Sequence, residues 1–344
     1  MGPPESYLEL TRDYFEKKIR AIESITPNQS KYPYNTFSHH STDVIKIVKA
    51  KLREADVSKH DIIKINNYSI SWFYLARISR QIECLKLVEN SMALQHWDLL
   101  REFTLNCAKR LDMKFEPLAF FGREFYCTGS FAYPEYGRKL INPFFQVSCD
   151  NTDPSMFWIS LAHEVGHCKF SQLNLSEIEK KLVSEGLNKG IYKRQMEETL
   201  CDGLATYLFG FSYPLAFFMK FWLTPPSSAN YPNFDFRISF MLELLKKSNF
   251  EIPKLAMDFL VFDKREAKKE YIEFLRDDLI TICIETVSEP ADYTLEEINK
   301  ITNASEMSKC NNIETLYNSA WLLFLQRKTE IDELTKEVHC CLEG

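Results

Sequence analysis

The sequence predicts a mainly helical protein that carries a small β-sheet, an α+β fold. Three observations predict it. Only 10 glycines occur in 344 residues, and long stretches lack proline, so few positions break a helix. Apolar residues recur with a period of about 3.6 over both ends of the chain, as at Tyr7, Leu8, Leu10, Tyr14, Phe15, Ile19 and Ile22. Between Glu116 and Val147 the pattern turns aromatic, turn-rich and locally alternating (PLAFFGREFYCTGSFAYPEYGRKLINPFFQV, 117–147). That stretch reads as two or three strands, one of them at KLINPFFQV, 139–147.

In chain order, SYLELTRDYFEKKIRAIESI (6–25) is a helix, and TPNQSKYPYNTFSHHST (26–42) is a loop by its Pro, Asn and Ser content. A short helix follows over 42–56, starting near Thr42 or Asp43. The pattern over 70–111 is one long helix or two joined ones. After the strands, Asp153 reads as an N-cap with Pro154 at the first helical position. The helix then starts just before Ser155 and carries HEVGH in its third and fourth turns. A charged helical insert spans 172–190. A second helix, QMEETLCDGLATYLFG (195–210), stops at Gly210. TPPSSANYPNFDF (224–236) is a loop leading into the helix RISFMLELLKK (237–247), and 267–287 and 313–342 are helical again. No internal repeat or low-complexity tract appears. Composition divides the chain into an N-terminal helical region (1–115), a central region (116–245) and a C-terminal helical region (246–344).

The bulk numbers narrow the function classes. Net charge is -6, with basic residues interspersed among acidic ones rather than gathered in a stripe, so no nucleic acid partner is expected. The 10 cysteines form no C-x-x-C pair, which disfavours a cysteine-based zinc knuckle. Most lie in apolar helical patterns, and free thiols in a reducing cytoplasm are the expectation. MGPPESYLEL has neither a basic start nor an apolar run, so no signal peptide is expected. MGPPES formally fits a myristoylation pattern that its consecutive prolines suit poorly, and the final CLEG reads as a chance prenylation frame. No run of about 18 apolar residues is present, so no membrane span is expected.

The informative stretch is SLAHEVGHCKF, 160–170. Spacing of four puts His163 and His167 on one helix face, one turn apart, where both imidazoles can reach one cation. Glu164 is rotated by about 100° from His163, beside the metal rather than on it. Zn²⁺ lowers the pKa of a bound water towards about 7, and a neighbouring carboxylate can take its proton during attack on a carbonyl. The competing reading is a buried helix that happens to hold two histidines. An apolar face (Phe157, Ile159, Leu161, Ala162, Val165) and the helix-interior Gly166 bear on this, because such a glycine is costly unless something packs closely against it.

A catalytic zinc takes three protein ligands and keeps one position open. In EETLCD, Glu198 and Asp202 are four apart on one face with Ala205. Glu198 is the candidate third ligand, and Asp202 can accept a hydrogen bond from the outer nitrogen of a ligand histidine and so fix its tautomer. Glu197 is the rival ligand, with Cys201 rather than an acid four residues on. The plain alternative is a solvated acidic helix start, favoured by the macrodipole, although the apolar neighbours of Asp202 leave little room for an exposed face.

With HEVGH on one helix and ETLCDGLATYLFG on the next, the chain resembles the gluzincin metallopeptidases, nearest to their intracellular and membrane-protease branch. The resemblance covers about 138–245. It implies a zincin-like core within 116–245: an active-site helix, a glutamate helix and an edge strand that binds substrate backbone, for which KLINPFFQV is the candidate. That branch often continues with a His-Pro segment and an arginine. Here the counterpart is NYPNFDFR, with Tyr231 in the histidine's place and Arg237 aligned. A tyrosine hydroxyl there can donate to a developing oxyanion, or Tyr231 is a loop aromatic. Arg237 holds a carboxylate near the site or caps a helix.

The resulting expectation is a cytoplasmic zinc metalloendopeptidase, with one Zn²⁺ on His163, His167 and Glu198. Glu164 and Tyr231 are its catalytic residues, Asp202 and Arg237 support the ligands, and a selected protein or peptide is the substrate. The residues do not indicate an oligomeric state. The alternative is a catalytically inactive zincin-fold binding module, or a protein-interaction platform built on the helical flanks. Among the remaining candidates, Cys168 reads as a small buried apolar residue and His39 and His40 as solvated loop residues. His339 falls in a frayed tail, and Trp72, Phe73 and Tyr74 are core aromatics.

Overall fold

In a computed structural model of the chain, the structure describes residues 5–25, 33, 38–94, 96–113, 118–122, 126–128, 144–148, 155–187, 190–221, 229–261 and 271–343. The chain is mainly helical, as its periodicity predicts. It forms two compact units, Met1–Gln95 with Ser130–Phe144, and His96–Gly129 with Phe145–Gly344. The helical stretch beyond residue 246 thus shares a unit with HEVGH. No helix among the described residues is long and apolar enough to cross a membrane.

The first unit contains α1 (Glu5–Ile25), α2 (Ser38–Val57) and α3 (Asp61–Ser91). Phe15, Ile19 and Ile22 of α1 and Val44, Ile45, Val48 and Leu52 of α2 are buried, at the spacing that lines one helix face, and both helices pack on α3. Two expectations are corrected here. His39 and His40 lie in the first turn of α2, not in a loop. Trp72 and Phe73 are 55% and 51% exposed, whereas Tyr74 is buried. Successive helical residues point about 100° apart, so three consecutive aromatics cannot all face one core. Trp72 instead stacks on Tyr14, with ring centroids 5.7 Å apart.

The helical pattern over 70–111 resolves into α3 and α4 (Trp97–Arg110), separated by His96 in the left-handed region at φ 64°. α4 belongs to the second unit. Three short strands follow, β1 (Leu118–Gly122), β2 (Tyr126–Thr128) and β3 (Phe144–Ser148). Their hydrogen-bonded order is β1–β3–β2. The strand placed at KLINPFFQV therefore has a hydrogen-bonded neighbour on both sides where its described part lies. That overturns its reading as an edge strand; 139–143 lie outside the described residues.

The HEVGH helix is shorter than its sequence suggests. A 3₁₀ turn at Ser155–Phe157 precedes α5 (Ser160–Phe170), so His163 sits in the first turn and His167 in the second. Asp153 and Pro154 lie outside the described residues. Met156, Trp158 and Ile159 are all buried across this break, although a straight helix would turn Trp158 about 160° away from Met156. After α6 (Ser176–Ser184), α7 (Gly190–Phe209) starts ahead of the predicted Gln195 and ends where predicted, with Gly210 at φ 65°.

α7 is the central helix. From Gln195 to Phe209 all but Glu197 and Tyr207 are buried, as befits a helix covered all round. α8 (Ser212–Phe221), α9 (Phe234–Lys247), α10 (Lys254–Leu260), α11 (Arg276–Thr286) and α12 (Leu295–Lys300) follow, and α5, α8, α9 and α11 all pack on α7. The pattern over 313–342 breaks into α13 (Ile313–Leu325) and α14 (Ile331–Glu343) at Arg327, φ 53°. His339 is not in a frayed tail. Its ring stacks on His96 at 4.1 Å and lies 5.2 Å from Trp158, between centroids, so α14 docks beside the turn that leads into α5.

One buried cation ties the C-terminal helices to this core. Arg110, at the end of α4, donates from Nη2 to the Leu208 carbonyl at 2.8 Å and from Nε to the Glu289 carbonyl at 3.0 Å. It also pairs with Glu314 of α13, and both side chains are buried. Glu314→Ala leaves the guanidinium buried without its counter-ion. It is expected to destabilise the chain by about 3–5 kcal/mol, read as a lower urea midpoint at unchanged slope.

Candidate metal centre

Two helices meet at a glycine. A Cβ on Gly166 of α5 would stand 3.1 Å from Cys201 Cα and 3.3 Å from its Cβ on α7. This is the close packing that Gly166 called for. Cys168, on the same helix, is buried as expected. At this spacing the imidazoles of His163 and His167 sit with centroids 4.9 Å apart and planes at 85°. Glu198 of α7 reaches between them, with Oε2 3.3 Å from His163 Nε2 and Oε1 3.7 Å from His167 Nε2. One ligand atom from each residue lies within 4.8 Å of the others.

This arrangement can hold a metal ion. Tetrahedral bonds of about 2.0–2.1 Å put neighbouring donors roughly 3.3 Å apart, close to the two carboxylate–imidazole distances. Among the described residues, no other group of three or more His, Cys, Asp or Glu is so placed.

The outer nitrogens are held as firmly as the inner ones are aimed. His163 Nδ1 lies 2.9 Å from Asp202 Oδ1, and His167 Nδ1 lies 2.9 Å from Glu197 Oε1. Each carboxylate favours the proton on Nδ1, which turns the Nε2 lone pair inward. Glu197, the rival ligand, therefore takes the outer role, and Arg194 Nη1 lies 3.5 Å from its other oxygen. Adjacent positions on α7 are rotated by about 100°, so Glu197 and Glu198 meet opposite sides of the His167 ring.

Asp202 is completely buried and ringed by donors. Arg237 of α9 donates from Nε to Oδ2 at 2.5 Å and from Nη2 to Oδ1 at 2.8 Å. Tyr213 of α8 donates its hydroxyl proton to Oδ1 at 2.8 Å. Arg237 also lies 3.7 Å from Glu198 Oε2, and its guanidinium carbon is 4.5 Å from the Phe217 ring centroid. Asn233, accepting from the Asp235 amide at 3.0 Å, caps the helix that delivers it. Arg237 thus holds a carboxylate instead of capping a helix.

These contacts decide the protonation states. Burial pushes the Asp202 carboxyl up, but the Arg237 charge and the His163 hydrogen bond outweigh it and hold the group well below the usual carboxylate range. Glu198 is lowered in the same way: burial opposes its charge, while His163, His167 and Arg237 favour it. For His163, burial works against the cation, yet hydrogen bonds to Asp202 and Glu198 raise its pKa to about 10. Without metal, a proton sits between imidazole and carboxylate, where a bound cation would take its place.

Glu164 is half-buried on α5, directly after His163. Tyr231 is 38% exposed, with its ring centroid 5.7 Å from the Arg237 guanidinium carbon. Gln195, one turn before Glu198, donates to the Ala229 carbonyl at 3.0 Å and so ties the turn bearing Tyr231 to α7. Burial and the Glu198 charge raise the Tyr231 hydroxyl against the pull of Arg237, which keeps it a proton donor at neutral pH.

The fold thus gathers His163, His167, Glu198, Asp202 and Arg237 into one network, with Tyr231 against Arg237. Sequence reasoning missed Tyr213, which lies in the apolar run SYPLAFF with no signal to set it apart, and it gave Glu197 a different part. The chain matches no family model, no curated protein and no solved structure.

The two adjacent glutamates are expected to separate on mutation. Glu198→Ala should abolish binding of a divalent metal, whereas Glu197→Gln should weaken it about tenfold, as for other outer partners of metal-bound histidines. Elemental analysis and chelator competition on the purified variants measure both. Equal losses would remove the distinction between ligand and outer partner.

Proposed function

We propose that the chain is a zinc-dependent metallopeptidase of gluzincin kind that hydrolyses peptide bonds in a selected protein substrate. The observation that carries this reading is the convergence of two Nε2 atoms and one carboxylate, each imidazole backed on its outer side by an acid. Two imidazoles and a carboxylate form a donor set suited to zinc, and three protein ligands leave a position for chemistry. Bound there, zinc supplies Lewis acidity towards a carbonyl oxygen and makes water nucleophilic near neutral pH.

The chain's own residues supply the rest. Glu164 accepts the proton of the attacking water and passes it to the leaving amine, a role for which its place beside His163 on α5 suits it. The Tyr231 hydroxyl, which stays protonated, donates to the carbonyl oxygen as charge develops there. Asp202 and Glu197 keep the two rings turned inward, and Arg237 balances the charge of Asp202 and Glu198. In this reading α5, α7 and the strands at 118–148 are the zincin-like core with its small sheet. The helices around them restrict access, which favours a selective enzyme. A cytoplasmic location belongs to the same proposal and rests on the free thiols at Cys84, Cys107, Cys168, Cys201, Cys283 and Cys310.

Glu164→Gln tests the chemistry apart from the metal. The variant is expected to retain one zinc per chain and to lose at least about 100-fold in hydrolysis, the lower bound typical of removing a general base. A library of unstructured peptides, analysed by mass spectrometry, reads cleavage. Should the zinc-loaded wild type and the variant behave alike, the peptidase reading fails.

A further inference from the structure

We infer that Tyr213 is a positioning residue of the metal centre, locking Asp202, and through it the His163 ring, into the orientation that aims Nε2 at the metal. This rests on the metal reading above and adds a residue that the HEVGH and EETLCD segments do not contain.

The Tyr213 hydroxyl stands at the junction of the two side chains. It is 2.8 Å from Asp202 Oδ1 and 3.2 Å from His163 Nδ1. Tyr213 is 2% exposed and Asp202 0%, so bulk water cannot replace the hydroxyl. An ionised carboxylate is the stronger acceptor, and the phenol gives its proton to Asp202. Its lone pairs then face His163 Nδ1. Both oxygens beside that nitrogen are acceptors, which keeps a proton on Nδ1 and leaves Nε2, on the Glu198 side, as the nitrogen that exchanges its proton for a metal. Arg237 already grips Asp202 at both oxygens. Tyr213 adds a grip from a different helix, against rotation of the carboxylate about the Arg237 axis.

The fold goes to some length to place this hydroxyl. Gly210, in the left-handed region at φ 65°, ends α7. The corner that follows is pinned by Asn318 of α13, itself fully buried. Asn318 accepts from the Ser212 amide at 2.9 Å and donates to the Phe209 carbonyl at 3.0 Å. The chain thereby reverses, and α8 brings Tyr213 back beside Asp202. One turn on, Phe217 lies under the Arg237 guanidinium. α8 thus supports Asp202 and its cation with neighbouring residues of one helix face.

The test uses the full chain. Zinc affinity is measured by competition with a chromophoric chelator, and the visible spectrum is recorded after loading with Co²⁺. Tyr213→Phe, which keeps the ring and removes only the hydroxyl, is expected to weaken zinc binding about tenfold, the lower end for outer partners of metal ligands, and to shift the Co²⁺ bands. Thr104→Val on α4 is the structural control. It removes another buried hydroxyl, which donates to the Leu100 carbonyl at 2.7 Å, and is expected to leave zinc affinity and spectrum unchanged. Tyr213→Leu guards against an idiosyncratic packing effect and is expected to show the same loss. If Tyr213→Phe binds zinc with wild-type affinity and gives the wild-type spectrum, whatever Tyr213→Leu does, the inference is overturned while the metal centre stands. If the wild-type chain binds neither ion, the metal centre itself fails, and this inference with it.

Discussion

The contact between Gly166 and Cys201 is the constraint on which the site depends. Helices that carry ordinary side chains at their crossing keep their axes about 8–10 Å apart, and a glycine lets them come nearer. At the distance seen, Glu198 reaches both imidazoles of the facing helix at once. A side chain at 166 would meet the backbone of α7 itself, which has no rotamer to yield. α7 brings a glycine of its own to its opposite side, where a Cβ on Gly203 would run into Phe240 of α9 and Cys283 of α11. α7 is thus clasped from two sides, and its carboxylates are held in place by the packing of its apolar residues.

Around that contact lies a set of buried charges that would be costly one by one. A lone buried carboxylate or guanidinium pays several kcal/mol in lost hydration. Here each charge has a partner and each partner has geometry. Asp202 is met by Arg237, Tyr213 and His163, and Glu198 by His163 and Arg237, while the half-buried Glu197 is met by His167. A network satisfied in this way is rigid in a low-dielectric surround. In the absence of a cation, the proton held on His163 balances the same carboxylates. A cation entering the site would exchange with that proton more than add a charge.

The supports come from far along the chain. α8 contributes Tyr213 and Phe217, α9 contributes Arg237, and Asn318 of α13 pins the corner between α7 and α8. Arg110 of α4 ties the end of α7 to α13 through Glu314. The C-terminal helices, which composition sets apart, therefore take part in holding the centre, and α14 lies against the turn that leads into α5. An envelope of this kind orders the site.

The sequence by itself determined what local spacing can encode. Four-residue intervals put His163 with His167 and Glu198 with Asp202 on single faces, because the helical repeat is a property of the backbone. The glycine at 166 announced a close neighbour, the glycine at 210 announced a helix end, and scarce glycine and proline announced the helical class. Only the tertiary structure decided the rest. Whether Glu197 or Glu198 turned inward depended on the rotation of α7 about its axis, which packing against α5, α9 and α11 sets. Tyr213 was invisible because its partner lies across a chain reversal, and an apolar run does not reveal which of its aromatics will meet a buried acid. The break at 326–330, the exposed Trp72 and the inner place of β3 escaped for a related reason. Each follows from which faces find neighbours, and that is a property of the assembled chain.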